Sequence, residues 1–444
     1  MTWYITCAWR MISVVKIYRK AIIVADDLTG ACDTSSQFSK LGYNVAVAID
    51  QDDMKSLIEL NDVIALSTNT RGMEPDKAYE IVGRVVSIAL DAANDAGIRS
   101  EDILWYKKID STLRGNIVEE SIAMYETLNA ELMIFAPAYP RHGRTTVGGI
   151  HLVNGVPVTQ TYFGRDTRAP ARSPNIAEYF AGLSYSHKHI YISDLRSGTL
   201  GQEICNYRIL SSDIETEEDF RHLIDSTPLC RERHTHLWVG SAGLAEWLAW
   251  LTVIATPCRG PILLCVGSSS DTTRMQLARL IGSITPCMLL LNVEKLLLED
   301  FNQLYNDIMA ELSACLNRGS QIVVITSAYE EWQLKQAKAV ASALGLSMAR
   351  ISEYISTSLG KLCASVTISI GLDNIGGIIL SGGDTAYAVL KQLGLDRLRI
   401  VGEVEPGVPV LGTDKGVKVV TKAGGFGDIY SLLRAVYRLG GWCG

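Results

Sequence analysis

The chain has 444 residues, 48% hydrophobic and 20% charged, with 41 Lys+Arg against 48 Asp+Glu. At roughly 150 residues per domain this length predicts two or three domains, and the apolar fraction excludes extensive disorder. A net charge of −7 and a pI near 5.6 argue against nucleic-acid binding, which needs a phosphate-neutralising face. No apolar run approaches the roughly 18–20 residues that span a bilayer, so a soluble cytoplasmic protein is expected, with neither nucleic acid nor membrane as partner.

Residues 1–20 carry four basic and no acidic side chains, but Arg10 breaks the apolar stretch and no small-residue cleavage site follows. They read as an extension, with Met11 a plausible alternative start. From residue 21 short β-branched runs alternate with amphipathic segments. Strands are predicted at 21–25, 45–49, 63–66, 103–107 and 132–136. A helix is predicted at 75–94, where Ala78, Val82, Val85 and Ala89 recur three and four apart after Pro75. The stretch 138–175 departs from this alternation. It is rich in Gly, Pro, Arg and Thr and contains the hairpin signal Asn154-Gly155, so a β-rich insertion is expected. A helical pattern at 243–251 leads into a Pro/Gly-containing hinge at 252–261. Beyond it, 262–266, 322–326 and 378–380 read as buried strands, each followed by a helix.

The predicted architecture is therefore α/β. Two Rossmann-like domains with mostly parallel sheets, 21–250 and 252–444, are joined by a hinge, with the active site in the cleft between them. Ten scattered cysteines show no CxxC and no zinc spacing, so reduced core thiols are expected, Cys265 and Cys363 among them. The pairs His187/His189 and His234/His236 each share a face if on strands, but no third metal ligand lies near in sequence.

Five segments place reactive groups at strand ends. In IIVADDLTGACDT, Asp26 and Asp27 can read vicinal hydroxyls or accept a hydroxyl proton, although Asp27 could equally cap the following helix. Thr68-Asn69-Thr70-Arg71 suits a carboxylate held by a guanidinium, against the alternative of a weak surface ion pair. KKIDSTLRGN gathers Lys107, Lys108, Asp110, Ser111, Thr112, Arg114 and Asn116, an anion-and-hydroxyl site unless it is merely a solvated loop. In the second half, Gly267–Thr272 and Gly382-Gly383-Asp384-Thr385 open helices with exposed N–H groups. VGEVEPGVPV and TKAGGFGD, with Lys422, add further glycine turns. Each turn alone is common; together they suggest a nucleotide polyphosphate site. Neither GxGxxG nor GxxxxGK[ST] is present.

At these residues the sequence resembles the four-carbon acid sugar kinase family, which phosphorylates threonate, erythronate and 3-oxo-tetronate and was formerly filed as a domain of unknown function. The resemblance runs from about residue 21 to 427. It rests on ADDLTGACDT, TNTR, KKIDSTLRGN, APAYPRHGRTT, HLVNGVPV with the following Asp166, VGSAGLAEWL, GSSSDTT, SGGDTA and TKAGGFGD. It implies a sugar-acid domain followed by an ATP domain, with ATP and Mg²⁺ as cofactors and a small sugar acid as substrate. Substrate residues would be Asp26, Asp27, Arg71, Lys108, Asp110, Ser111 and Arg114. ATP would meet Ser268, Ser270, Gly382, Gly383, Asp384, Thr385 and Gly425. Asp27 or Asp384 would accept the hydroxyl proton, and Lys422 with the glycine turns would stabilise the transferring phosphoryl group. The rivals are a non-catalytic sugar-acid and nucleotide-binding regulator and an NAD(P)-dependent oxidoreductase, the latter disfavoured by the missing glycine fingerprint. A homo-oligomer is compatible with this reading.

Overall fold

The computed structural model describes residues 16–440 except 51, 198–199, 201–203, 205, 228–234, 256–259 and 299. Most of the N-terminal extension, the centre of the predicted hinge and His234 thus lie outside the described residues. The chain packs as two units that divide between Ile254 and Ala255.

In chain order the first unit carries β1 (Lys16–Tyr18), β2 (Lys20–Ala25), β3 (Val45–Ala48), β4 (Val63–Ser67), β5 (Ile103–Lys108), β6 (Leu132–Ala136), β7 (Arg144–Val147), β8 (Ile150–Val153), β9 (Val156–Pro157), β10 (His187–Ile190), β11 (Ile209–Ser212), β12 (His236–Gly240) and β13 (Thr252–Ile254). Eight form one sheet in the order β10-β11-β6-β12-β5-β2-β4-β3, and every pairing in it is parallel. Helices cover both faces, so β6 is apolar without alternation, and β4 and β5 are buried along their whole length although they end in Ser67 and in Lys107-Lys108. Ile22, Val24, Leu66 and Trp105 pack with Val82, Val86 and Met124 on one face. Ala21, Ile23 and Tyr106 pack with Phe38, Leu244 and Leu248 on the other.

Residues 16–18 and 20, read from sequence as extension, instead enter strands. β1 pairs in parallel with β13, so residues 252–254 of the predicted hinge pack in the first unit. The insertion is the antiparallel sheet β7-β8-β9. Asn154 and Gly155 both take positive φ (50° and 79°) between β8 and β9, as a two-residue primed turn demands.

The second unit holds β14 (Ile262–Val266), β15 (Cys287–Leu290), β16 (Ile322–Thr326), β17 (Gly377–Ser381), β18 (Leu398–Glu405), β19 (Val408–Thr413) and β20 (Lys418–Lys422). Their order is β15-β16-β14-β17-β20-β19-β18; the first five pair in parallel, whereas β18, β19 and β20 pair antiparallel. VGEVEPGVPV, expected among the phosphate-reading turns, is the β18–β19 hairpin. Pro406 and Gly407 (φ 83°) occupy its corner, the pairing a type II turn prefers.

The expectation of reduced core cysteines holds for buried Cys265 and Cys363 but not for Cys287 and Cys315. Cys287 on β15 and Cys315 on helix Phe301–Asn317 form a disulfide, with Cα atoms 5.9 Å apart. The two are 28 residues apart with no motif between them, so only tertiary packing brings them together.

Candidate active site

In each unit the chain runs outward to one side of a central strand and then returns on its other side. In the first unit this reversal falls between β2 and β5; in the second, between β14 and β17. Loops at the carboxyl ends of such strand pairs diverge and leave room for a ligand. Asp26, Asp27, Lys108 and Asp110 lie at the first of these places and Gly267, Ser268, Gly382 and Gly383 at the second, while Arg71 follows β4 and Lys422 and Gly425 belong to the end of β20 and the turn after it.

β2 ends directly in Asp26 and Asp27. Asp27 caps helix Leu28–Lys40, its Oδ1 accepting the Gly30 N–H at 2.8 Å. Capping does not exhaust it, because Arg71 Nη1 donates to its Oδ2 at 2.7 Å. Arg71 also grips Asp26 through two hydrogen bonds, Nε to Oδ2 at 2.6 Å and Nη2 to Oδ1 at 3.0 Å. The Asp26 carbonyl accepts the N–H groups of Thr70 and Arg71, which places Arg71 after β4. Burial opposes the charge on Arg71, but the aspartates outweigh it and raise its pKa. The surface ion pair considered from sequence is thus a buried-side clamp.

β5 delivers the second group. Lys107 and Glu120 form a buried ion pair at 2.8 Å beneath the site. Lys108 is almost fully buried, and its Nζ donates to the Ile109 carbonyl at 2.8 Å. Burial lowers its pKa, while Asp26, Asp110 and Asp27 favour its charge. Arg114 binds Asp110 through Nε (2.9 Å) and Nη2 (3.1 Å), and Thr112 donates to the same carboxylate. Burial would raise the Asp110 carboxyl, but Arg114, Arg71 and Thr112 hold it well below the usual carboxylate range. Gly115 (φ 95°) presses on this assembly. A methyl there would lie 3.1 Å from Arg71 Cγ and 3.5 Å from Asp26 Oδ2, so the glycine lets the two groups meet.

Sequence reasoning assigned no site role to three further residues. Gly30 passes so close that a Cβ would fall 2.5 Å from Asp27 Oδ1 and 2.8 Å from Lys108 Nζ. His151 on β8 is fully buried, with Nε2 2.8 Å from the Ser111 carbonyl and Nδ1 3.0 Å from Thr146 Oγ1. Burial pushes its imidazole down to about 4. The ring is therefore neutral, and its Nε2–H donates to Ser111. Asp166 meets Arg114 Nη1 at 3.3 Å, and Phe163 lies under the same guanidinium at 5.1 Å. The motif HLVNGVPV signals the hairpin that carries His151, but nothing in it signals the contact with Ser111. His187 and His189 both hydrogen-bond Ser211, and His189 also meets Asp213 at 3.0 Å.

In the second unit Ser270 caps helix Asp271–Ser283. Its Oγ donates to the Gly424 carbonyl at 2.5 Å and receives the Ser268 hydroxyl at 3.2 Å. Thr273 Oγ1 also donates to Gly424, at 2.9 Å. Gly267 and Gly382 pack edge to edge, and Thr385 is buried against Gly267. Gly383 and exposed Asp384 open helix Gly383–Leu393, and a methyl on Gly383 or Gly425 would meet nothing within 4 Å. Lys422 differs from its sequence reading. Its Nζ donates to the carbonyls of Ala423 (2.9 Å), Phe426 (3.0 Å) and Gly424 (3.2 Å). Those bonds use all three ammonium protons, so Lys422 folds the glycine turn and has no donor left for a phosphoryl group. Gln276, also missed, locks the turn through the Phe426 and Asp428 carbonyls.

Family models match both units: a sugar-binding N-terminal domain over residues 21–248 and a nucleotide-binding C-terminal domain over 263–432. A D-threonate kinase of Salmonella typhimurium is 32% identical over 94% of this chain and 98% of its own. A D-erythronate kinase of Heliobacterium modesticaldum is 28% identical, covering 92% and 94% respectively. Among solved structures, a domain of unknown function from Bordetella bronchiseptica, a domain-swapped dimer with bound citrate, matches with TM-score 0.61 and 26% identity. That match covers 94% of this chain and 98% of the other.

Proposed function

Because the chain belongs to the four-carbon acid sugar kinase family and is a phosphotransferase acting on a hydroxyl group, we propose that it transfers the ATP γ-phosphoryl group to the terminal hydroxyl of a four-carbon sugar acid. Threonate or erythronate is the favoured acceptor, since relatives named for these acids are 32% and 28% identical, whereas a 3-oxo-tetronate kinase of Haemophilus influenzae is 23% identical. One observation carries the reading: the paired Asp26–Asp27–Arg71 and Asp110–Arg114 clusters at the β2/β5 switch point. Alternating carboxylates and guanidinium groups suit a molecule that presents several hydroxyls and one carboxylate.

The second unit supplies the matching triphosphate cradle. Where Gly383 and Gly425 lack side chains there is open space, and the first N–H groups of helix Gly383–Leu393 have no partner within their helix. Ser268 and Ser270 add hydroxyls beside it. Asp384 is the carboxylate available to a Mg²⁺ ion carried on the nucleotide, which would neutralise phosphate charge. The sugar hydroxyl oxygen attacks the γ-phosphorus, the bond to the β,γ-bridging oxygen breaks, and Asp27 takes the hydroxyl proton. ADP and the sugar-acid 4-phosphate leave. Asp27 is preferred to Asp384 as base because it belongs to the hydroxyl-reading network. Turnover requires the two ligand ends to meet with water excluded.

Purified protein with ATP, Mg²⁺ and a panel of four-carbon acids should release ADP with one or two of them and show a new phosphate-ester signal at C4. Acid binding without ADP release would instead establish the regulator reading.

A further inference from the structure

The residues expected to hold the substrate carboxylate are already engaged. Arg71 directs Nε, Nη1 and Nη2 at Asp26 and Asp27, and Arg114 directs the same three atoms at Asp110 and Asp166, so each keeps two of its five N–H donors while its charge is already matched. The charge count points the same way. Four carboxylates (Asp26, Asp27, Asp110, Asp166) face three cations (Arg71, Arg114, Lys108). The difference of one leaves a surplus negative charge, and loss of the Lys108 proton would enlarge it. An anionic sugar acid entering this network needs another cation.

We infer that Arg168 supplies it and sets the preference for acids over uncharged polyols; this deepens the acid-kinase reading and rests on it. Three observations place Arg168 there. Its backbone N–H is held at 2.9 Å by Asp166 Oδ1, while Asp166 Oδ2 binds Arg114, so the segment is fastened to the site. Its guanidinium lies over Gly72, the neighbour of Arg71. A methyl at Gly72 would stand 3.1 Å from Arg168 Nη2 and 3.3 Å from Nε, and the glycine is what admits the guanidinium. Finally, that guanidinium meets no carboxylate among the described residues, so its planar donor fork is available.

The test uses the full chain with Arg168→Ala and Arg168→Lys. ADP release gives KM and kcat for the accepted acid and for threitol or erythritol, and calorimetry gives the acid's affinity without nucleotide. For Arg168→Ala the inference requires an acid KM about 10- to 100-fold higher, the loss expected for a charged hydrogen bond. It also requires kcat within threefold of the parent and no change with the polyol. Arg168→Lys should recover part of the loss, and added guanidinium chloride should restore part of it to Arg168→Ala. An Arg168→Ala protein with unaltered acid KM and affinity overturns the inference. If the parent releases no ADP with any acid, yet binds one that Arg168→Ala binds weakly, the kinase reading falls and the role of Arg168 stands.

Discussion

Asp27 caps a helix with one oxygen and meets Arg71 with the other, so substitutions can separate structure from chemistry. Asn caps nearly as well as Asp, whereas Ala loses about 1 kcal/mol. Asp27→Asn should keep the cap and the ATP affinity and, although it loses the charged contact with Arg71, should melt no lower than Asp27→Ala, while kcat falls about 10²-fold or more, the range for a lost general base. Asp27→Ala should lose both turnover and stability. Undiminished turnover in Asp27→Asn would remove the residue from the reaction. This doublet was legible because two adjacent carboxylates at a strand end exceed what one cap needs. Lys422 was misread for the opposite reason. A lysine before three glycines looks like a phosphate ligand until the loop's own carbonyls are seen to surround it.

Among the elements, strands buried on both faces were legible from sequence because helices on each side leave no polar alternation, as in β6 and β14. The hairpin at Asn154-Gly155 was legible from turn chemistry. The β1–β13 pairing and the β18–β19 edge were not, since both depend on partners distant in sequence or on a change of strand direction. The β7-β8-β9 insertion carries a pH prediction. His151 titrates near 4 when folded against about 6.5 when unfolded, and burial likewise pushes His187 down to about 4. As pH falls from 6.5 toward 4 the unfolded imidazoles bind protons that the folded ones refuse, so stability is lost across that window. His151 alone accounts for roughly 3 kcal/mol. Urea unfolding at pH 7.5 and 4.5 should show the loss, and His151→Gln should flatten it; an equal pH slope in that variant would refute the assignment. The glycine turns make a second test at this scale. Gly383→Ala and Gly425→Ala meet no protein atom, so they should fold normally. Each should nevertheless raise the ATP KM about tenfold, roughly 1.4 kcal/mol of lost phosphate approach.

At the scale of the whole molecule, each unit has its own sheet, its own switch point and its own core. If a chain of net charge −7 takes two anionic ligands, as proposed, it needs local donors: guanidinium groups in the first unit, backbone N–H groups and hydroxyls in the second. The two chemistries differ, so each ligand alone should protect its own unit. Hydrogen exchange of the intact chain reads this directly. A sugar acid at about 100 times its Kd adds about 2.7 kcal/mol against opening of the unit it binds, slowing exchange by up to roughly 100-fold. That slowing should appear at 26–30, 68–72 and 108–116 with the acid, and at 267–273, 382–386 and 423–428 with a non-hydrolysable ATP analogue. Binding both should add protection at the loops where the hydroxyl and the γ-phosphate must meet, because transfer needs a dry encounter. An ATP analogue that protects 26–30 and 108–116 while leaving 382–386 and 423–428 unchanged would reverse the assignment of ligands to units, and the direction of phosphoryl transfer argued from it would have to be redrawn.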